Sequence, residues 1–181
     1  FFRISAEQGH ANSLYQLGTA YLNGRGVPKE IDWGSRWLGK AARKGHSNAK
    51  FDLGVAYATG LGLPVNNVKA WVWLTRAADG DVPQASIVAD KVYARLTGKE
   101  KSLLGNATAL TLQPDKGNFS DEPTILFTQY RLGKLGYEPG QVDGHMGPMT
   151  QAAISSFVQD RNLGIPEVIS DILLEKLRRA I

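Results

Sequence analysis

Residues 45–64 read Gly45-His46-Ser47-Asn48-Ala49-Lys50-Phe51-Asp52-Leu53-Gly54-Val55-Ala56-Tyr57-Ala58-Thr59-Gly60-Leu61-Gly62-Leu63-Pro64. The same frame stands 36 residues earlier, as Gly9-His10-x-Asn12, Leu17-Gly18-x-Ala20-Tyr21 and Gly24-x-Gly26-x-Pro28. Downstream, Trp37-Leu38-x-x-Ala41-Ala42 returns as Trp73-Leu74-x-x-Ala77-Ala78. Between residues 9–42 and 45–78, 14 of 34 positions are identical, where ordinary residue frequencies give about two. Self-similarity at a fixed period of this size marks an array of supersecondary units.

Each unit reads as a pair of helices. Leu14, Leu17, Gly18 and Tyr21 fall at i, i+3, i+4 and i+7, one face of a helix. Gly24-Arg25-Gly26-Val27-Pro28 ends it, because the glycines accept positive φ and proline cannot continue the hydrogen-bond ladder. Trp33, Trp37, Leu38, Ala41 and Ala42 then repeat the helical spacing up to Lys44-Gly45, a cation followed by a glycine cap. Gly18 and Gly54 lie inside helices, where glycine costs about 1 kcal/mol against alanine. Their recurrence at one phase predicts close helix–helix approach. A hairpin this small cannot bury both faces alone, so the units should stack into a solenoid.

These residues resemble Sel1-like repeats, a family of helical hairpins patterned A-A-x-x-G-x-x-x-A-x-x-x-L-G-x-x-Y-x-x-G-x-G-V. Ala42, Gly45, Ala49, Leu53, Gly54, Tyr57, Gly60, Gly62 and Leu63 carry the match, with equivalents from Ala6 to Val27. Tetratricopeptide repeats, with a period of about 34, lack the Gly-x-Gly turn. The first residues align with the second helix of a unit, Phe1-Phe2 standing where Trp37-Leu38 stands. The chain is therefore expected to be part of a longer protein, with room for a membrane anchor upstream. At the other end Ala85 and Tyr93 keep the phase, and the Gly-x-Gly turn then fails. Residues 84–96 and 98–112 read as a closing helix pair, with Thr97 and Glu100 in capping-box spacing and Leu103, Leu104, Ala107 and Leu110 inward.

Composition limits the function classes. The 181 residues include 20 glycines, no cysteine, 43% apolar residues and a net charge of +4. Such mild charge does not argue for nucleic acid. The absence of cysteine removes disulfides, thiolate metal sites and cysteine nucleophiles. No apolar run approaches the ~20 residues of a membrane span. Charge is uneven: residues 1–112 hold 14 basic against 8 acidic side chains, and residues 113–181 hold 7 against 9.

Residues 113–123 carry turn formers and charges without a period and read as a linker. Beyond it, Leu126, Tyr130 and Leu135 indicate one helix. Four glycines and two prolines then shape the loop from Leu135 to Thr150. Pro148 suits the first turn of a second helix with Ala153, Ile154, Phe157 and Val158 inward. Ser170 caps a third, with Leu173, Leu174, Leu177 and Ile181. Residues 124–181 resemble the peptidoglycan-binding domain of cell-wall hydrolases, through Gln129, Leu132, Leu135-Gly136-Tyr137, Val142-Asp143-Gly144, Gly147-Pro148, Thr150, Ala153-Ile154 and Phe157. The family's second D-G-x-x-G-P-x-T half is eroded to Pro166-Glu167-Val168-Ile169-Ser170-Asp171.

The expected fold is thus all-α: a helical-hairpin solenoid over 1–112, a linker over 113–123 and a three-helix domain over 124–181. No catalytic set stands out. Ser47-Asn48-Ala49-Lys50 fits a nucleophile motif, but its partner motifs are missing. Three histidines and no cysteine give no metal centre, and no cofactor is indicated. His10 and His46, one period apart, read as solvated turn histidines.

The resemblance implies peptidoglycan contact around Tyr137, Gln141, Asp143, Gly144, His145 and Thr150, with Arg131 and Arg161 for stem-peptide carboxylates. Asp143 has a second reading, a turn residue bonding loop amides. Trp71, off the repeat phase, is the aromatic expected to be exposed to a protein partner, and Arg25, Lys29, Lys40 and Lys44 mark a basic face. The implied function is a non-catalytic cell-envelope scaffold, periplasmic and membrane-anchored. It would dock other envelope proteins on its repeats and touch peptidoglycan with its last domain. The module order resembles proteins that organise one cell pole in Gram-negative bacteria. The alternatives are the targeting part of a cell-wall hydrolase whose catalytic domain lies upstream, and a protein–protein adaptor with a decayed wall module.

Overall fold

The computed structural model describes residues 10–104 and 122–181. Every regular element among these is helical. The first hairpin pairs α1 (Ala11–Asn23) with α2 (Ile31–Arg43), and the second pairs α3 (Ser47–Thr59) with α4 (Asn67–Ala78). A third pair is shorter, α5 (Ala85–Arg95) and α6 (Gly98–Ser102). After residue 121 come α7 (Glu122–Lys134), α8 (Pro148–Asp160) and α9 (Asp171–Arg179). The chain divides into two compact units, one running to Pro114 and the other from Asp115.

The repeat residues form the core of the first unit. Leu14, Leu17, Gly18 and Tyr21 are the buried set of α1, and Ala49, Leu53, Gly54, Ala56 and Tyr57 that of α3. Both helices end on a left-handed glycine, Gly24 at φ 71° and Gly60 at φ 78°, a conformation that costs glycine no Cβ strain. The interior glycines mark helix crossings. A Cβ on Gly54 would lie 2.7 Å from Leu74 Cγ and 3.1 Å from the Ala70 carbonyl oxygen. In the first hairpin the contact is mutual: a Cβ on Gly18 would lie 3.1 Å from the Gly34 carbonyl, and one on Gly34 2.9 Å from the Gly18 carbonyl. Successive hairpins are joined as well. The buried Ser35 hydroxyl on α2 donates to the Leu61 carbonyl in the next unit's turn at 2.9 Å.

Three of the four tryptophans, Trp33, Trp37 and Trp73, are buried. The fully buried Arg36 guanidinium lies 4.6 Å from the ring centres of both Trp33 and Trp37, a cation held against two quadrupoles. The expected capping box is present at Thr97 and Glu100.

Several expectations are corrected. Within the helix expected over 98–112, α6 is capped at Leu103, whose amide bonds Glu100 in a tightened turn, and Leu104 is helical again; residues 105–112 lie outside the described residues. Leu103 is exposed, and Leu96 supplies the burial instead. Ala107, Leu110, residues 1–9 and most of the 113–123 linker lie outside the described residues. Within that linker, Glu122 and Pro123 belong to α7; proline is tolerated there because a first-turn amide has no helical partner. In the second unit Leu135 follows the end of α7, Tyr130 faces solvent, and Ile181 lies past α9 and is exposed. Leu126, Leu132, Ala153, Ile154, Phe157, Val158, Leu173, Leu174 and Leu177 are buried.

Replacing Gly54 by leucine forces α3 and α4 apart and should lower stability by at least about 1–3 kcal/mol, the usual cost of overpacking. A thermal-melting midpoint equal to wild type for Gly54→Leu would contradict the close crossing.

Candidate functional site

The loop between α7 and α8 is organised by one side chain. Gln129, buried on α7, accepts from the backbone amides of Asp143 (3.2 Å) and Gly144 (3.0 Å) through Oε1. Its Nε2 donates to Asp143 Oδ1 (3.2 Å), the His145 carbonyl (3.0 Å) and Thr150 Oγ1 (3.1 Å). Thr150 in turn donates to the Pro139 carbonyl at 2.8 Å. Asp143 Oδ1 also accepts the His145 amide at 2.9 Å. A primary amide offers two donors and an acceptor with two lone pairs, and here both ends are used. The loop is thereby pinned to α7 at residues 143–145, and Thr150 at the start of α8 links Gln129 to Pro139. Gly144 sits at φ 76° against Glu122 and Leu126, leaving no room for a Cβ.

These bonds sort the expected contact residues. Thr150 and Gly144 are buried and hold the loop, so they are corrected from ligand contacts to supports: their polar groups are already bonded inside. Arg131 is corrected too, being only 9% exposed with its guanidinium 5.1 Å from the Phe127 ring centre. Tyr137 is half-buried, its ring edge-on to Phe157 at 5.6 Å and 89°. Arg161 is exposed and lies 6.0 Å from the same Phe157 ring centre, so the two arginines rest on different rings. Gln141, Asp143 and His145 face solvent.

Asp143 fits its reading as a turn residue. The His145 amide, the Gln129 amide and the His145 ring hold its carboxyl below the usual carboxylate range, despite a small opposing effect of desolvation. His145 Nδ1 lies 3.7 Å from Asp143 Oδ1, with side chains 79% and 46% exposed, a pair that becomes ionic when the histidine is protonated. Sequence reading left Gln129 out of the site, although the motif contained it; a glutamine aligned with Asp-Gly was the available signal. It also left out Val142, Met146 and Met149, which are exposed beside these polar groups. The eroded half-motif forms a strap on α8. The Glu167 carbonyl accepts from Gln151 Nε2 at 2.6 Å and its carboxylate from Gln159 Nε2 at 2.8 Å.

On the repeat unit, Trp71 is corrected from exposed to half-buried, since it packs on Tyr93 at 5.9 Å. Lys40 is half-buried with its ammonium 5.0 Å from the Trp37 ring centre. Arg25, Lys29 and Lys44 are exposed. His46 is corrected from a solvated turn residue: its ring stacks on Tyr15 at 4.3 Å, whereas His10 is exposed. Among the described residues no cluster of three or more His, Asp or Glu is placed to hold a metal ion. No helix there is long and apolar enough to cross a membrane.

Comparison with known proteins gives family matches in both parts of the chain. Residues 11–46 and 47–82 each match the Sel1 repeat family. Residues 122–165 match the family described as "Putative peptidoglycan binding domain". The chain thus carries two Sel1 repeats followed by a peptidoglycan-binding domain. Among solved structures it is similar to a protective antigen of uropathogenic Escherichia coli strains that displays an SLR fold, at 30% identity and a TM-score of 0.57. That likeness covers 62% of this chain and 24% of the antigen, so the chain spans about a quarter of its relative. A Sel1 repeat protein from Oxalobacter formigenes is similar at 22% identity and a TM-score of 0.46, over 88% of this chain and 61% of the other. A search of curated proteins finds no match.

Gln129→Leu should cost the second unit about 2–4 kcal/mol, because two loop amides lose their acceptor. Melting and exchange of the Asp143 and Gly144 amides check this. Asp143, with its folded value depressed, stabilises the loop above the ordinary carboxylate value of about 3.9. That contribution is lost as pH falls from there through the folded value, and Asp143→Asn should flatten this acid limb.

Proposed function

We propose that the chain is a non-catalytic scaffold of the cell envelope, docking protein partners on its helical repeats and contacting peptidoglycan through its terminal domain. The observation that carries this reading is the presence of both modules in one chain. Both families are typically non-catalytic. Linking a wall contact to a protein-docking surface raises the effective concentration of the partner at the wall without any new contact.

The terminal loop supports the reading chemically. Gln141, Asp143, His145 and Arg161 are exposed, and Gln129 fixes the backbone at Asp143, Gly144 and His145. A pre-organised polar surface suits sugar hydroxyls and stem-peptide charges, because the loop gives up little entropy on binding. The exposed Arg25, Lys29 and Lys44 favour acidic protein partners through long-range steering. The order of modules resembles the periplasmic tail of the polar-localisation protein PodJ. On that analogy the protein works in the periplasm, as part of a membrane-anchored organiser of one pole.

Sedimentation with purified sacculi tests the wall contact. The full chain should co-sediment, and the triple change Gln141→Ala, His145→Ala, Arg161→Ala should weaken binding about tenfold or more, the scale of one lost charge-assisted hydrogen bond. Arg25→Glu with Lys29→Glu should leave it unchanged. The opposite pattern would move the wall contact to the repeats. Release of soluble muropeptides by the chain would overturn the non-catalytic reading.

A further inference from the structure

The joint between the two repeats contains a titratable group in a structural position. His46 is the N-cap of α3, and its Nδ1 accepts the Ala49 backbone amide at 3.2 Å. Its ring lies on Tyr15 of α1, in the preceding hairpin, with centroids 4.3 Å apart and planes 22° from parallel. Tyr15 is hydrogen-bonded to Asp52, one turn into α3. One ring therefore joins the end of one repeat to the start of the next.

Accepting at Nδ1 requires an unprotonated nitrogen there, so the cap exists only for the neutral ring with its proton on Nε2. We propose that His46 is a protonation-sensitive latch between the repeats: the neutral ring caps α3 against Tyr15, and protonation removes the cap and loosens the joint. Opposing influences are present. The Asp52 carboxylate favours the imidazolium, as does the Tyr15 ring face. Burial and the positive end of α3 disfavour it. Burial is the largest influence and holds His46 below the ordinary histidine value, with Asp52 pulling the other way. Asp52 is itself held above the carboxylate range, chiefly by burial. The other charged groups on the adjoining helices and the turns after α2 and α4 are Asp32, Arg36, Lys40, Arg43 and Lys44 from α2, Lys50 on α3, and Lys69, Arg76, Asp79 and Asp81 from α4. The marked charge effect on the ring comes from Asp52.

The sign follows. A histidine held below its unfolded value stabilises the fold above about pH 6.5 and loses that contribution as pH falls through the folded value. Two positions in the chain serve as internal comparisons. His10 holds the same place one repeat earlier but makes no side-chain cap. Asn66 caps α4 by accepting the Lys69 amide at 3.0 Å, which shows that asparagine makes the same bond in this fold without titrating.

The test measures the protection factor of the Ala49 amide, corrected for intrinsic exchange, in the full chain from pH 8 to pH 5. Wild type should lose protection about fivefold on acidification, the scale of one helix cap. His46→Asn should keep the pH 8 protection and stay flat, while His10→Asn should fall like wild type. A flat wild-type profile, or a fall in His46→Asn equal to that of wild type, overturns the latch. The ring titration of His46, followed by NMR in the unmodified chain, decides independently of any variant. A midpoint below the ordinary histidine value, with the proton on Nε2 at high pH, supports the proposal. A midpoint at or above that value, or the other tautomer, overturns it.

Discussion

The close crossing at Gly18 and Gly54 sets the geometry of the repeat unit. With a Cβ at Gly54 the Ala70 carbonyl would stand at 3.1 Å and Leu74 Cγ at 2.7 Å, so any larger residue forces the two helices apart. At native spacing Leu38 and Leu74 are completely removed from water, each contributing on the order of 1.5–3 kcal/mol. The same approach fixes where the Gly-x-Gly turn emerges. That turn presents the Leu61 carbonyl to Ser35 of the preceding hairpin. The stacking of one hairpin on the next is therefore a consequence of packing inside each.

The terminal unit depends on hydrogen bonding where the repeats depend on packing. Its Leu135–Thr150 loop has few apolar anchors and would pay a large entropy cost if free. One glutamine supplies both acceptor and donors at its centre, and a buried threonine ties its end to Pro139. A network of this kind is fully satisfied or strongly costly. It leaves Asp143 and His145 exposed on a backbone already held by hydrogen bonds.

Under the proposed scaffold function these two constructions would contribute differently. A repeat surface is extended and its stability is distributed between neighbours. On the proposed function, the terminal loop would be a small patch whose affinity comes from few groups, so linkage to a second module would matter more than the strength of either contact.

Much of this was legible without coordinates. Apolar periodicity located the helix faces of the repeats, because burial of Leu14, Leu17 and Tyr21 is forced by spacing alone. Glycines and prolines placed the turns, because only those residues accept the backbone they require. What the tertiary structure decided is where side chains end up when several partners compete. Trp71 is half-covered by its contact with Tyr93; Arg131 and Lys40 folded onto rings; Thr150 and Gly144 were taken up by Gln129. After Thr97 the helix is interrupted by a tightened turn at Leu103, which leaves Leu103 in solvent where the periodic pattern places it inward. His46 became a cap because Tyr15, 31 positions earlier in sequence, covers its ring. Local periodicity reports which residues leave water, whereas the identity of the partner that receives each polar group is a long-range property of the packed chain.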